Sequence, residues 1–185
     1  MSFLSVSGKK WLFKKFDSSD LSNFTENFSL TEIVAKLISI RKKNISDINL
    51  FLNPKIKNLL PNPLCLKDMK VAVNRTYKSI INNDTIGIFG DYDVDGASST
   101  AILARYFSLI KREIQIYIPD RKNEGYGPSV KGFEKLIKLK SKIIFTVDCG
   151  TLSYEPIKYA QKSNVDVIVL DHHQSDTKLP EACAV

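Results

Sequence analysis

Residues 90–96 read Gly-Asp-Tyr-Asp-Val-Asp-Gly, placing three carboxylates, Asp91, Asp93 and Asp95, within five positions. Asp91 follows a short apolar run at 86–89, Asp148 closes another at 143–147, and Asp171 closes a third at 165–170. A fourth run, 114–118, leads through Pro119 to Asp120. Ligands of open parallel sheets bind at the carboxyl ends of the strands. Acids gathered at one such edge repel each other unless a cation joins them, so their convergence predicts a metal site. If 91–95 is extended, its alternate side chains point the same way. A helix beginning at 97–99 would add free N–H groups able to meet an anion. A calcium loop of the EF-hand type is excluded: it needs a glutamate at its twelfth position, and residue 102 is Ile.

The chain's only two histidines, His172 and His173, stand side by side directly after Asp171. Neighbouring side chains are expected to diverge, which gives the two imidazoles different tasks. One can ligate metal through a neutral nitrogen. The other can contact the substrate or move a proton. Asp148 is a candidate bridging ligand between the two clusters. Carboxylates with one imidazole favour Mn²⁺ or Mg²⁺ over softer metals, and the histidine tilts the choice towards Mn²⁺. Two such ions, about 3.5–4 Å apart, would clamp the attacking and leaving oxygens of a phosphoryl transfer. No Walker pattern, GxSxG elbow or Cys-His nucleophile is present.

One more loop could touch a substrate: PDRKNEGYGPS at 119–129. Gly125 and Gly127 let the backbone approach a ligand. Arg121 could bind phosphate and Tyr126 could stack on a base. Ser129 is a candidate N-cap for the next helix.

These residues need a scaffold, and the pattern after residue 84 supplies one. Apolar runs at 86–89, 114–118, 143–147 and 165–170 alternate with helical stretches at 97–111, 130–140 and 156–162. The expected fold class is therefore α/β, a parallel sheet with helices on both faces. Residues 1–84 read as a small helical region. Ser29 and Glu32 suggest a capping box, with a helix ending in 41–44, a short helix at 47–52 stopped by Pro54, and a helix at 68–81 with Met69, Val73, Tyr77, Ile80 and Ile81 on one face. The domain boundary is accordingly placed at 84/85. Residues 182–185 read as a strand just begun, so the core is expected to be cut off there.

Composition narrows the class. The 185 residues are 43% hydrophobic and 25% charged, ordinary for a globular protein. A net charge of +7 and a pI near 9.2 suit a polyanionic partner, nucleic acid first. No apolar run approaches a membrane span, and no secretory signal is expected at the start. Three scattered cysteines, Cys65, Cys149 and Cys183, form no CxxC pair and fit a reducing cytoplasm.

Taken in order, GDYDVDG at 90–96, VDCG at 147–150 and DHH at 171–173 resemble the motifs of the DHH phosphoesterase family. Within it, GDYDVDGASS, the PDRKNEGYGPS loop, TVDCG, FLNPKI at 51–56 and the stretch 66–69 are most similar to the branch of single-strand-specific DNA exonucleases. That resemblance implies 5′-to-3′ degradation of single-stranded DNA in repair and recombination, with Mn²⁺ or Mg²⁺ as cofactor. It implies Asp91, Asp93, Asp148 and His172 as metal ligands, with Asp95 as a further candidate. It sets His173 against the scissile phosphate, and Arg121 and Tyr126 against the substrate. Gly87 stands where some other family members carry a histidine, so the first metal site must be completed differently. The branch also has another metal-binding aspartate, a DHH-associated domain and an OB-fold beyond the residues present here.

Three rival readings share parts of this pattern. A DHH phosphodiesterase of short oligonucleotides or cyclic dinucleotides would keep the same site. An inactive nucleic-acid-binding module would keep the crevice without the chemistry. A receiver-like domain would keep an acidic pocket but would not need His172.

Overall fold

The computed structural model describes residues 2–41 and 47–185. The chain divides into two compact units, Met1–Pro61 and Asn62–Val185.

The first unit opens with a feature absent from the helical reading. Strands β1 (Ser2–Leu4) and β2 (Lys10–Leu12) pair antiparallel, and Gly8 turns the chain between them at φ 72°. Helices α1 (Ser18–Asn27) and α2 (Glu32–Arg41) follow, then the short α3 (Ile48–Leu52) and α4 (Ile56–Leu59). Phe24, Ala35 and Ile38 form a small core between α1 and α2. The expected capping box is not formed. Ser29 takes φ 51° in the turn after α1, α2 begins at Glu32, and Ala35 N–H donates to the Thr31 carbonyl at 2.9 Å. Glu32 therefore lies too early to reach back, and it pairs with Lys36 one turn on. The helix end expected over 41–44 is seen as far as Arg41; residues 42–44 lie outside the described residues.

The second unit begins with a 3₁₀ turn at Pro63–Cys65 and helix α5 (Met69–Ile81). Then come β3 (Thr85–Gly90), α6 (Val94–Leu109), β4 (Ile114–Tyr117), α7 (Val130–Lys138), β5 (Ser141–Val147), α8 (Tyr154–Lys162) and β6 (Asp166–Leu170). All four strands are parallel, in the order β4-β3-β5-β6. The α/β class with helices on both faces holds. Ala184 adds a single parallel bridge to Ile168, so the strand-like reading of 182–185 marks real pairing.

Alternation along the strands explains the layering. Ile86, Ile88, Ile143, Phe145, Val147 and Ile168 pack on one face with Ala72 of α5 and Phe107 of α6. Phe89, Ile144, Val167 and Val169 pack on the other with Phe133 and Leu136 of α7 and Ile157 and Ala160 of α8. Both faces are covered over the centre of the sheet, so β3, β5 and β6 carry near-continuous apolar runs.

Helix α5 corrects the expected core face. Val73, Tyr77 and Ile81 are exposed, while Ala72 and Ser79 are buried. The reason is Arg75, one helical turn from each of those two. It bonds the Asp166 carboxylate and the Ser79 hydroxyl, reaches the Lys142 carbonyl at 3.2 Å, and lies 3.8 Å from Asp84. Meeting those partners turns the 72–75–79 face to the sheet. By packing, α5 belongs to the sheet unit, whereas the boundary read from the sequence lies at 84/85.

Candidate metal centre

Strand order decides where a ligand can sit. From β3 the chain leaves into α6 on one face; from the adjacent β5 it leaves into α8 on the other. Such a topological switch point opens a crevice at the strands' carboxyl ends. Asp91 and Asp148 are the residues immediately beyond β3 and β5, on the two sides of that crevice. Each extends the sheet by one rung: Asp91 N–H donates to the Val147 carbonyl at 3.3 Å, and Asp148 N–H to Leu170 at 2.9 Å.

Asp93 enters from a different element. It caps α6, its carboxylate accepting the N–H groups of Asp95 and Gly96, both at 3.0 Å. This corrects the extended reading of 91–95: the helix starts at Val94, three residues before the expected start. Gly96 makes the early start possible, because a Cβ there would lie 2.4 Å from the Asp91 carbonyl oxygen. Asp91, Asp93 and Asp148 each offer an oxygen within 4.8 Å of the others. Asp95 is exposed in the first turn of α6 and is outside that group.

Electrostatics mark two of these acids, Asp91 and Asp148, as short of a cation. Asp91 is 2% exposed, and its Oδ1 has no hydrogen-bond partner. Burial, then the nearby Asp93, pushes its carboxyl above the ordinary range. Asp148 is raised in the same way, by burial first and then by Asp93. Asp93 moves the other way, held down chiefly by the Gly96 N–H. An orphaned carboxylate oxygen in a buried site costs about 1–3 kcal/mol or more. A divalent cation would satisfy it and reverse the upward shifts. The residues present therefore fit a hard, oxygen-preferring metal.

The histidines complete the site differently from expectation. Residues 171–173 lie beyond β6 in irregular backbone, where strand alternation no longer separates neighbours. The two rings lie together, centroids 4.7 Å apart at 35°. Their partners differ nonetheless. His172 Nε2 is 3.1 Å from Asp148 Oδ1, and His173 Nδ1 is 2.8 Å from Asp171 Oδ1. A second candidate ligand group joins Asp148, His172 and His173. Asp148 is thus common to both groups.

The 119–129 loop also reaches the site. Tyr126 lies 3.3 Å from the Asp148 carbonyl and 3.2 Å from His173 Nδ1 through its hydroxyl. Tyr126 packs edge-on against Tyr92, and the Arg121 guanidinium sits 5.1 Å from the Tyr92 ring centre. Asp120 turns back to accept its own loop's N–H groups from Lys122 and Asn123, away from the acid cluster. Three residues at the site had no assigned role in the sequence reading: Tyr92, Thr151 and Asp171. Asp171 was visible as a strand-end acid; nothing in the type or spacing of Thr151 singled it out. Beside the acids lies an open cleft of ≈ 640 Å³, lined by Asp95, Ser98, Asp148 and His172 among others.

A fold with a switch-point acid cluster and an Asp-His-His turn defines a class. The model of the DHH family, N-terminal domain, matches residues 85–185. This chain belongs to the DHH family. It is 32% identical over 181 residues to the single-stranded-DNA-specific exonuclease RecJ of Bacillus subtilis (strain 168), covering 97% of this chain and 23% of that protein. A crystal structure of exonuclease RecJ bound to manganese superposes with a TM-score of 0.60 at 30% identity, covering 64% of this chain and 30% of that one. RecJ of Thermus thermophilus, in complex with Mn²⁺, shares the fold at a TM-score of 0.62 and 22% identity, over 89% of this chain and 22% of that one. The chain thus spans under a quarter of the length of the Bacillus relative.

Proposed function

We propose that this chain carries the metal-binding core of a 5′-to-3′ exonuclease that hydrolyses phosphodiester bonds in single-stranded DNA. Residues 85–185 would be the catalytic core, preceded by an accessory region at 1–84. The observation that carries the reading is the carboxylate trio Asp91, Asp93 and Asp148, with the orphaned Asp91 oxygen at its buried side. Similarity to the RecJ relatives supports single-stranded DNA as substrate and manganese as a suitable ion. The +7 net charge agrees with a polyanionic substrate. DNA repair and recombination, in the cytoplasm, is the setting this activity fits. No helix among the described residues is long and apolar enough to cross a membrane.

In this reading Asp91, Asp93, Asp148 and His172 hold Mn²⁺ or Mg²⁺, with Asp95 at the rim as a further candidate. When bound, the cation supplies Lewis acidity towards the phosphoryl oxygens and the attacking water. Asp148 ties the carboxylate side of the site to the imidazole side. His173 faces the reacting phosphate. Arg121 offers a guanidinium to backbone phosphate, and Tyr126 offers a ring to a base. Asp93 would do two jobs, holding metal and starting α6 through its Oδ1.

The test is digestion of 5′-labelled single-stranded DNA with Mn²⁺, by the chain and by its Asp93→Ala variant. Metal-dependent shortening that vanishes in the variant supports the reading. Binding of DNA without cleavage under any divalent ion would remove the catalytic assignment.

A further inference from the structure

One enclosed acid at this edge is left out by the metal reading. The Asp171 side chain is 3% exposed. It is in neither candidate ligand group. Its Oδ2 accepts the Thr151 N–H at 3.0 Å and also the Thr151 hydroxyl. Its Oδ1 accepts the His173 N–H at 3.1 Å and lies 2.8 Å from His173 Nδ1. Three donors already converge on this carboxylate, so it acts as an acceptor towards His173 as well, and the imidazole presents N–H at Nδ1.

Tyr126 is compatible with that assignment. Its hydroxyl is 3.2 Å from the same Nδ1. A protonated Nδ1 cannot accept, so the Tyr126 O–H must go elsewhere. It has a place to go: the Asp148 carbonyl at 3.3 Å. The hydrogen positions are mutually consistent.

We propose that Thr151 and Asp171 are positioning residues that lock His173 in its Nδ1–H form, leaving Nε2 as the nitrogen that takes or gives a proton at the reacting phosphate. The last clause rests on the phosphodiesterase reading; the locked form itself does not. Thr151 matters because its two donors converge on Oδ2 and so orient the whole Asp171 side chain. An asparagine at 171 has one acceptor oxygen for two pairs of donors, the Thr151 N–H and hydroxyl on one side and the His173 N–H and Nδ1–H on the other, so it cannot hold both. Wherever its NH₂ turns to His173, Nδ1 must accept and the proton moves to Nε2. The same exchange in the Ser-His-Asp triad costs about 10⁴ in rate by imposing the wrong tautomer.

The experiment is ¹⁵N-histidine labelling of the metal-free chain, at a pH above the imidazole titration. Two-bond ¹H–¹⁵N correlations then report which ring nitrogen carries the proton. Only two histidines are present, and His172→Gln assigns their signals. Wild type should show Nδ1–H, Asp171→Ala should lose it in favour of Nε2–H, and Thr151→Val should give a mixture that Thr151→Ser restores to Nδ1–H. A wild type already protonated at Nε2 overturns the proposal, whatever the variants do. So does a folded Asp171→Ala that keeps Nδ1–H, since Asp171 would then merely close the turn. With Mn²⁺ and single-stranded DNA, Asp171→Asn should lower kcat by about 10³-fold or more, with KM little changed. If wild type does not cleave, the exonuclease reading fails while the tautomer result stands on its own.

Discussion

The two edges of the parallel sheet treat their acids in opposite ways. At the amino edge, Asp84 and Asp166 face Arg75, which also holds the Ser79 hydroxyl and the Lys142 carbonyl. At the carboxyl edge, Asp91, Asp93 and Asp148 crowd within 4.8 Å, and the only ion-pair partner among the described residues is His172 on Asp148. One edge comes with its own cation and is complete. The other concentrates negative charge around an orphaned oxygen and leaves the cation to be supplied. A protein able to place an arginine against two aspartates has the means to neutralise the other cluster. Leaving it charged is what the proposed metal-binding role requires.

This contrast can be broken at either edge. The largest effect belongs to the carboxyl edge. Asp93→Ala should lower Mn²⁺-dependent cleavage by about 100-fold or more, since even residues behind metal ligands cost 10–100-fold; oligonucleotide digestion at saturating Mn²⁺ measures it. Saturating Mn²⁺ should stabilise wild type by about 2.7 kcal/mol at a hundred times its Kd. Thermal melts with and without metal read this, and Asp91→Asn should abolish most of the shift. At the amino edge, Arg75→Ala should destabilise by about 2 kcal/mol through lost charge-assisted bonds, with no change in Mn²⁺ affinity. Urea unfolding and metal titration separate the two outcomes. Gly96→Ala should cost about 1–3 kcal/mol, because its methyl meets the Asp91 backbone. It should also weaken Mn²⁺ binding, since the start of α6 cannot shift without moving Asp93. The smallest effect sharpens the comparison most: without metal, Asp91→Asn should stabilise by about 1 kcal/mol, as a crowded buried charge is removed. A destabilised metal-free Asp91→Asn would mean that the cluster is internally compensated.

Much of this was readable in advance, and the failures share a cause. Strand-length apolar runs ending in aspartate identified the sheet, its parallel sense and the edge that carries the site. Two-sided burial leaves few alternatives for such runs. Misreadings arose where one local pattern met a tertiary demand. Val73, Tyr77 and Ile81 form an apolar stripe, but Arg75 turned α5 to the other side. Asp91, Asp93 and Asp95 alternate as in a strand, but Asp93 capped a helix and removed Asp95 from the trio. His172 and His173 were expected to diverge, but no strand geometry extends past Leu170. Thr151 could not be found at all, because its role exists only through Asp171, twenty residues later in the chain.

A Mn²⁺ titration of the chain by calorimetry, with Asp91→Asn beside it, decides whether the acid cluster holds a cation. Wild type should bind saturably and the variant at least tenfold more weakly, with both proteins folded. Equal affinity in the two, or no binding by wild type, would contradict this: the acid cluster at the switch point would not be a metal site.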